Sequence, residues 1–256
     1  MPTITKANDA YGHELWAFLT DDHVEEIVER DDGFISASGW PKRYFAEFRA
    51  WPTHERQAIR SARGVRALDV GCGAGRVSLY LQRKGLKVTA IDNSPLAIRL
   101  CRQRGVRDAR VLAIEQIARL RAESFDTVVM FGNNFGLFGS FARARRLLRR
   151  LHGLTTPNAV ILAESVNPYT TRVAAHLRYQ RRNRERGRMG GQIRLRVRFG
   201  QFKGPWFDYL LVSPTEMKAI LAGTGWRLRR ILSSRAGPVY VAVIERAPAP
   251  VRPAAT

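Results

Sequence analysis

The stretch Ala67-Leu68-Asp69-Val70-Gly71-Cys72-Gly73-Ala74-Gly75-Arg76 decides the fold of this 256-residue chain. An apolar run over residues 65–70 ends in glycines at every second position, and a helical pattern over 75–84 follows at once. Glycine has no Cβ, so such a loop lets main chain come within contact distance of a ligand and take positive φ. The spacing is G-x-G-x-G. It departs from the dinucleotide fingerprint G-x-G-x-x-G/A, whose last position is Arg76 here, and it lacks the lysine of a P-loop. Asp69 stands two residues before the first glycine. A second acid, Asp92, closes the next apolar run (87–91), 21 residues after Gly71. A carboxylate there can accept two hydroxyl hydrogen bonds from a ribose and would repel a 2′-phosphate.

Outward from the loop, strand and helix patterns alternate. Ser94-Pro95 supplies an N-cap and a proline at the first helical position, and that helix runs to Arg104 and stops at Gly105. Residues 110–113 read as a short strand and 125–131 as a strong apolar one. Ser140 caps a helix with Phe141, Ala144, Leu147, Leu148 and Leu151 at helical spacing, which Gly153 is expected to end. A strand follows at 159–163. Repeated strand–helix alternation predicts a parallel sheet covered on both faces. The rhythm breaks after Val166. Residues 169–191 are Arg-rich and helical at first. Then Ile193, Leu195, Val197 and Phe199 alternate with Arg194, Arg196 and Arg198, a strand with one apolar and one cationic face. Residues 200–205 can turn it into a strand at 206–212. Ser213-Pro214-Thr215-Glu216 is a capping box opening a helix to Leu221, and 239–244 is a last strand. The Ala/Pro tail from 247 is expected to be disordered.

The charge is lopsided: 43 Lys+Arg against 22 acids, net +21, with only six of the cations lysine. Residues 1–32 hold nine acids and two bases, so the excess of cations lies in the remainder. A basic body can attract nucleic acid, anionic lipid or acidic substrates, but arginine spread along the whole chain reads equally as a solvated surface. At 45% hydrophobic residues the chain can build a core. No apolar run approaches the ~20 residues of a membrane span, and residues 1–14 hold no signal-like stretch, so no membrane contact and a cytoplasmic location are expected. Cys72 and Cys101 make neither a disulfide framework nor a four-ligand zinc site, and no metal is expected.

On these residues the chain resembles the class I S-adenosylmethionine (SAM)-dependent methyltransferases, well over residues 60–165 and loosely over 206–245. Leu68-Asp69-Val70-Gly71-Cys72-Gly73-Ala74-Gly75 is similar to the family's first motif and Ala90-Ile91-Asp92 to its second. Phe125-Asp126-Thr127-Val128-Val129 is similar to the segment leading into its fourth strand. The resemblance implies a doubly wound, Rossmann-like α/β fold. Its seven-stranded, mostly parallel sheet would carry helices on both faces, an N-terminal helical cap and an Arg-rich insert after strand five. One domain over 1–246 is implied: cap or lid 1–60, SAM-binding core 61–168, insert and hairpin 169–205, C-terminal strands and helix 206–246, then the tail 247–256. SAM is the implied cofactor. By position, Gly71, Cys72, Gly73 and Gly75 would line its methionine and ribose moieties, and Asp69 would hold the methionine amino end. Asp92, with Asn93 beside it, would bind the ribose hydroxyls. Ile114 would cover the adenine and Glu115 would reach its amino group. Phe131 completes the set.

Such enzymes place acceptor residues after the fourth strand, here Met130-Phe131-Gly132-Asn133-Asn134-Phe135-Gly136-Leu137-Phe138-Gly139. Residues 127–163 contain no Asp or Glu. That absence argues against the paired glutamates of protein-arginine methyltransferases and the acid of a ribose-methylating tetrad. No Asn-Pro-Pro-Tyr motif and no nearby cysteine are present, which argues against methylation of planar amino groups and of cytosine C5. Asn133 and Asn134 are the candidates for positioning the acceptor, though Asn suits a tight turn equally well. A base, if one is needed, would be Glu164, Asn167, His176 or an N-terminal acid. The acidic segment 25–35 and the aromatic stretch 40–45 are expected to form a lid, with Arg43 or Arg49 reaching the SAM carboxylate. They also read as a helical cap with a solvated acidic face. Opposite charge draws this segment toward the insert, whose ten arginines between 172 and 198 form either a phosphate-binding arm or a solvated face. The expected function is methyl transfer to a small or medium-sized molecule. The alternatives are an RNA methyltransferase using the insert and a non-catalytic SAM-binding protein. No pattern sets an oligomeric state.

Overall fold

A computed structural model describes residues 3–21, 25–37, 41–122, 124–234 and 237–248. The chain begins with a short helix, α1 (Ala10–Ala17), whose N-cap Asp9 accepts a hydrogen bond from Gly12 N at 2.9 Å. The acidic stretch that follows is not the helical cap expected. It is a hairpin of β1 (Ile27–Arg30) and β2 (Ile35–Ala37). Alternation explains the difference: Val28 and Glu29 point to opposite faces, and a strand with that pattern needs a sheet to join. Two short helices, α2 (Pro41–Phe45) and α3 (Thr53–Ala58), lead into the core. Trp40, and the tail beyond residue 248, lie outside the described residues.

The alternating pattern then becomes β3 (Arg66–Val70), α4 (Arg76–Arg83), β4 (Lys87–Asp92), α5 (Pro95–Gln103) and β5 (Asp108–Val111). It continues with β6 (Phe125–Met130), α6 (Phe141–Leu154) and β7 (Thr155–Val166). β5 starts two residues earlier than expected, and α6 runs through Gly153 to Leu154. After β7 come α7 (Ala174–Glu185), β8 (Gln192–Phe199), β9 (Phe202–Lys203), β10 (Phe207–Leu210), α8 (Pro214–Leu221), β11 (Trp226–Ser233) and β12 (Val239–Arg246).

Seven strands form one sheet in the order β11-β12-β7-β6-β3-β4-β5. β3 to β7 pair parallel, while β12 runs antiparallel to both β7 and β11. The period of two sorts its side chains. Leu68, Val128, Met130 and Ile161 pack with Leu147, Leu148 and Leu151 of α6 and Met217 and Ile220 of α8. The intervening Ala67, Val129, Val160 and Leu162 pack with Ala58 of α3 and Val77 and Leu81 of α4. Both faces are therefore covered, as a parallel sheet requires. β3 hands the chain to α4 on one face and β6 hands it to α6 on the other, which leaves a crevice between their carboxyl ends.

A second, antiparallel sheet orders β10-β8-β1-β2, with β9 attached to β8. The acidic N-terminal strand pairs directly with the arginine-bearing one: Val28 lies opposite Val197 and Glu29 opposite Arg196. Among the described residues no helix is long and apolar enough to cross a membrane.

Candidate functional site

The crevice between the β3 and β6 loops opens into a cavity of about 540 Å³, well inside the range of small-molecule sites. Its floor is the glycine loop. Gly71 and Gly73 have φ of +70° and +52°. A Cβ at Gly73 would stand 2.5 Å from the Tyr11 hydroxyl, and one at Gly71 would strike the Asn134 amide. Glycine is thus required at both positions on grounds of φ and space. Gly75 faces elsewhere. A side chain there would meet Cys101 Sγ at 2.7 Å and Val106 at 2.9 Å, so its work is the close packing of α4 on α5, and it does not line the cavity.

Asp92 ends β4 at the cavity edge. Its Oδ2 accepts from Gly73 N and its Oδ1 from Ser94 N, each at 3.0 Å. Each carboxylate oxygen keeps lone-pair capacity for another donor. Burial pushes its pKa up to about 6 against these N–H groups, so it is ionised at neutral pH. Asp69 is buried under the loop and accepts from Ser78 Oγ at 2.6 Å; burial likewise raises it to about 6. Asp9 fixes the neighbouring segment. Besides capping α1, its Oδ2 accepts from Ser94 Oγ at 2.7 Å and Leu96 N at 3.0 Å, so one carboxylate caps both α1 and the start of α5. That clamp holds Tyr11 over Gly73.

Of the residues singled out from sequence, Asp69, Gly71, Cys72, Gly73, Asp92, Asn93, Ile114, Phe131, Asn133 and Asn134 all line this cavity. Glu115 does not. It sits in a tight helical turn (Ile114–Arg119) that buries Ile114 and Ile117, and it turns to α6, where it pairs with Arg143 at 3.0 Å. Asn134 lines the cavity, but its amide donates to the carbonyls of Val70 and Gly71, both at 2.9 Å, tying the post-β6 turn to the glycine loop. Asn133 takes a left-handed conformation, φ 64°, and its carbonyl accepts from the Tyr209 hydroxyl at 2.6 Å. Among the proposed bases, Asn167 caps the turn that follows it, accepting from Tyr169 N, and His176 bonds Thr171 Oγ1 beside Phe34; neither lines the cavity. Arg43 lines it, whereas Arg49 lies in solvent beside Glu47.

Glu164, at the end of β7, lies at the cavity's far end, 3% exposed. Gly132 N donates to its Oε2 at 3.3 Å, and its carboxyl is hydrogen-bonded to that of Glu55. Glu55 is held by both Arg76 terminal nitrogens, at 2.6 and 2.7 Å, and Arg76 lies over the Trp51 ring. Burial and the charge of Glu55 push the Glu164 pKa well up. Burial also pushes Glu55 up, but its forked bond to Arg76 outweighs this and holds it low. On another wall Glu26 accepts from the Tyr44 hydroxyl at 3.3 Å. Behind it, Glu14 is fully buried and raised to about 9 by burial and by Glu26, so it is neutral at pH 7.

The roof is the second sheet. Val28, Ile193, Leu195, Val197, Phe207 and Tyr209 face the cavity. The alternate residues make a ladder of ion pairs on the outer face. Arg196 bonds Glu29 at 2.9 and 3.0 Å, Arg198 reaches the same carboxylate at 3.3 Å, and Arg194 and Arg188 face Asp208 at 3.9 and 3.7 Å. Sequence reading missed Tyr11, Glu26, Arg76 and Tyr209 as site residues. The available signals were the Asp9 cap two residues before Tyr11, the arginine directly after the third glycine, and the two-residue period at 206–212.

Three comparisons bear on this geometry. Residues 68–163 match a family model described as a methyltransferase domain. A ubiquinone biosynthesis O-methyltransferase of Xanthomonas oryzae pv. oryzae is 41% identical over 70 residues, 25% of this chain and 29% of that protein. The chain is thus matched to less than a third of that relative's length. A SAM-dependent methyltransferase from Bacteroides fragilis, solved in complex with S-adenosylhomocysteine, superposes with a TM-score of 0.79 at 26% identity, covering 96% of this chain and 98% of that one. The 1,6-didemethyltoxoflavin-N1-methyltransferase of Burkholderia thailandensis shares the fold at 16% identity, TM-score 0.51.

Proposed function

From the premise that this chain belongs to the class I SAM-dependent methyltransferases, we propose that it transfers the methyl group of SAM to a small or medium-sized, largely apolar acceptor enclosed beneath the second sheet. The observation that carries this reading is the division of the cavity. A polar glycine floor lies below, an apolar roof lies above, and every roof arginine named here is turned to the outer face and paired.

The floor fits the donor. Gly71 and Gly73 line the floor where the methionine and ribose would lie, and Asp92 retains lone pairs for two ribose hydroxyls. Ile114 and its neighbour Leu112 would cover the adenine, Asp69 would attract the methionine ammonium, and Arg43 its carboxylate. When bound, SAM supplies an electrophilic methyl carbon on a sulfonium. The chain's own contribution is to exclude water, hold the acceptor's nucleophile in line, and shape the roof against wrong molecules. Asn133 would position the acceptor through its side chain, while Asn134 holds the loop. In this division, residues 25–37 and the 192–210 hairpin act together as the lid. The Xanthomonas relative is an O-methyltransferase, and a hydroxyl acceptor for this chain is in keeping with that likeness over 70 residues.

Methyl-labelled SAM incubated with the protein and cell extract, then split into metabolite, RNA and protein fractions, tests the reading. Label in apolar metabolites is expected. Label confined to RNA would reassign the Arg-rich outer face to nucleic acid, and binding there should then weaken steeply with salt.

A further inference from the structure

The far end of the cavity contains one carboxyl group that the donor does not need. Glu164 is buried, faces the cavity beside Gly132, and is backed by Glu55, which Arg76 grips with two hydrogen bonds. Four elements meet there: β7 gives Glu164, α3 gives Glu55, α4 gives Arg76 and α2 gives Arg43, with Tyr209 of β10 facing from the roof. Arg76 is committed to Glu55 and Arg43 adds a second positive charge nearby, while the carboxyl–carboxyl hydrogen bond keeps one proton, on Glu164. A lone glutamate in such a dry place is held neutral; Arg76 and Arg43 oppose that rise without reversing it, so the charged form is reached as pH rises.

We propose that Glu164 is the proton acceptor of the reaction, and that the chamber between it and the apolar roof takes a ring or chain bearing a protonated hydroxyl. This rests on the methyltransferase reading above. The acceptor's O–H proton passes to a Glu164 oxygen. The lone pair left on the acceptor oxygen forms the new bond to the methyl carbon, and that carbon's bond to sulfur breaks with its electron pair going to sulfur. Glu55 and Arg76 are positioning residues: they orient the Glu164 carboxyl and set how readily it ionises. Burial and the Glu55 charge raise its pKa and the two arginines oppose the rise, a balance suited to a base for a weakly acidic hydroxyl.

The test uses the full chain and two probes of one shape: phenol, protonated at neutral pH, and thiophenol, largely ionised there. Glu164→Gln should lower kcat/KM for phenol by about 100-fold or more and leave thiophenol methylation and S-adenosylhomocysteine affinity within about threefold. Equal loss with both probes, or no loss with phenol, overturns the proposal. The wild-type pH profile is a second reading that needs no variant. The phenol rate should rise with pH and level off before phenol itself ionises; a rise continuing into phenol's own ionisation overturns it. Wild type that binds S-adenosylhomocysteine but methylates neither probe also overturns it while leaving the donor site intact. Failure to bind S-adenosylhomocysteine would instead defeat the earlier reading.

Discussion

The floor and the roof of the cavity are built in opposite ways. The floor is local: Asp69, Gly71, Gly73 and Asp92 lie within 24 consecutive residues, at the ends of two adjacent parallel strands. The roof is assembled from the two ends of the chain, with β1 paired to β8 across some 170 positions, Ile27 opposite Arg198. A floor of main chain and one carboxylate can be the same in many enzymes, because the nucleoside it would hold is the same. A roof of exchangeable apolar side chains is where selectivity can differ. The comparison also predicts that donor binding and acceptor turnover can be damaged separately.

Removing residues 1–37 should have the largest effect. It deletes the central strand of the roof and, with Asp9 and Tyr11, the clamp over Gly73. Methyl transfer should fall below detection and S-adenosylhomocysteine affinity should drop at least about tenfold; unchanged turnover would show that the roof is not the acceptor chamber. Next, Leu195→Asp places a charge in the apolar roof without touching the floor. Turnover should fall by about 100-fold or more while nucleoside affinity, read by calorimetry, stays within about threefold, since burying an unpaired carboxylate costs several kcal/mol. Asp92→Ala should do the reverse and weaken nucleoside binding by about 1.5–3 kcal/mol, the worth of charge-assisted hydrogen bonds. Its pH dependence has a definite sign. Burial raises the Asp92 pKa to about 6, so wild-type nucleoside affinity should hold above that pH and decline below it as the carboxylate takes a proton; Asp69 is raised to about 6 as well, so the Ala variant should show a shallower decline. The smallest effect belongs to Arg196→Ala on the outer face. Its partner Glu29 lines no part of the cavity and keeps Arg198 at 3.3 Å, so turnover should stay within about twofold and the melting temperature within about 2 °C. A large loss of activity there would mean that the outer ladder, and not the apolar face, meets the substrate.

Legibility followed the same division. Glycines at fixed spacing and an acid at a strand end belong to one short strand–loop–helix–strand segment, and they stand in the sequence undisguised. Gly75 and Glu115 lie off the cavity, which adjacency along the chain does not reveal. Gly75 is required by α5, and Glu115 sits one position past Ile114 on a tight turn that sends it to Arg143. The strand β11 escaped notice because Arg227, Arg229 and Arg230 interrupt its apolar pattern, and its register with β12 shifts at Leu228/Arg230. The hairpin at 27–37 reads as helical because five acids cluster at 25–32 among few apolar residues, and its strand character comes from a partner far away in sequence. Glu164 could be suspected from its place near the end of β7, but its pairing with Glu55 could not, since long-range contacts between single side chains leave no periodic trace.

β1 sits inside its sheet, between β2 and β8. The ribosome releases it more than 150 residues before its neighbour on one side exists. Until β8 emerges, the hairpin has an unsatisfied edge, and unsatisfied edges invite the wrong company. Glutamates and aspartates along this stretch repel copies of themselves and so guard it during the wait, before the arginines arrive to neutralise them. The acidic start of an otherwise basic polypeptide thus suits assembly as well as shape, and the roof cannot close until β8 has been made, well after β3 and β4.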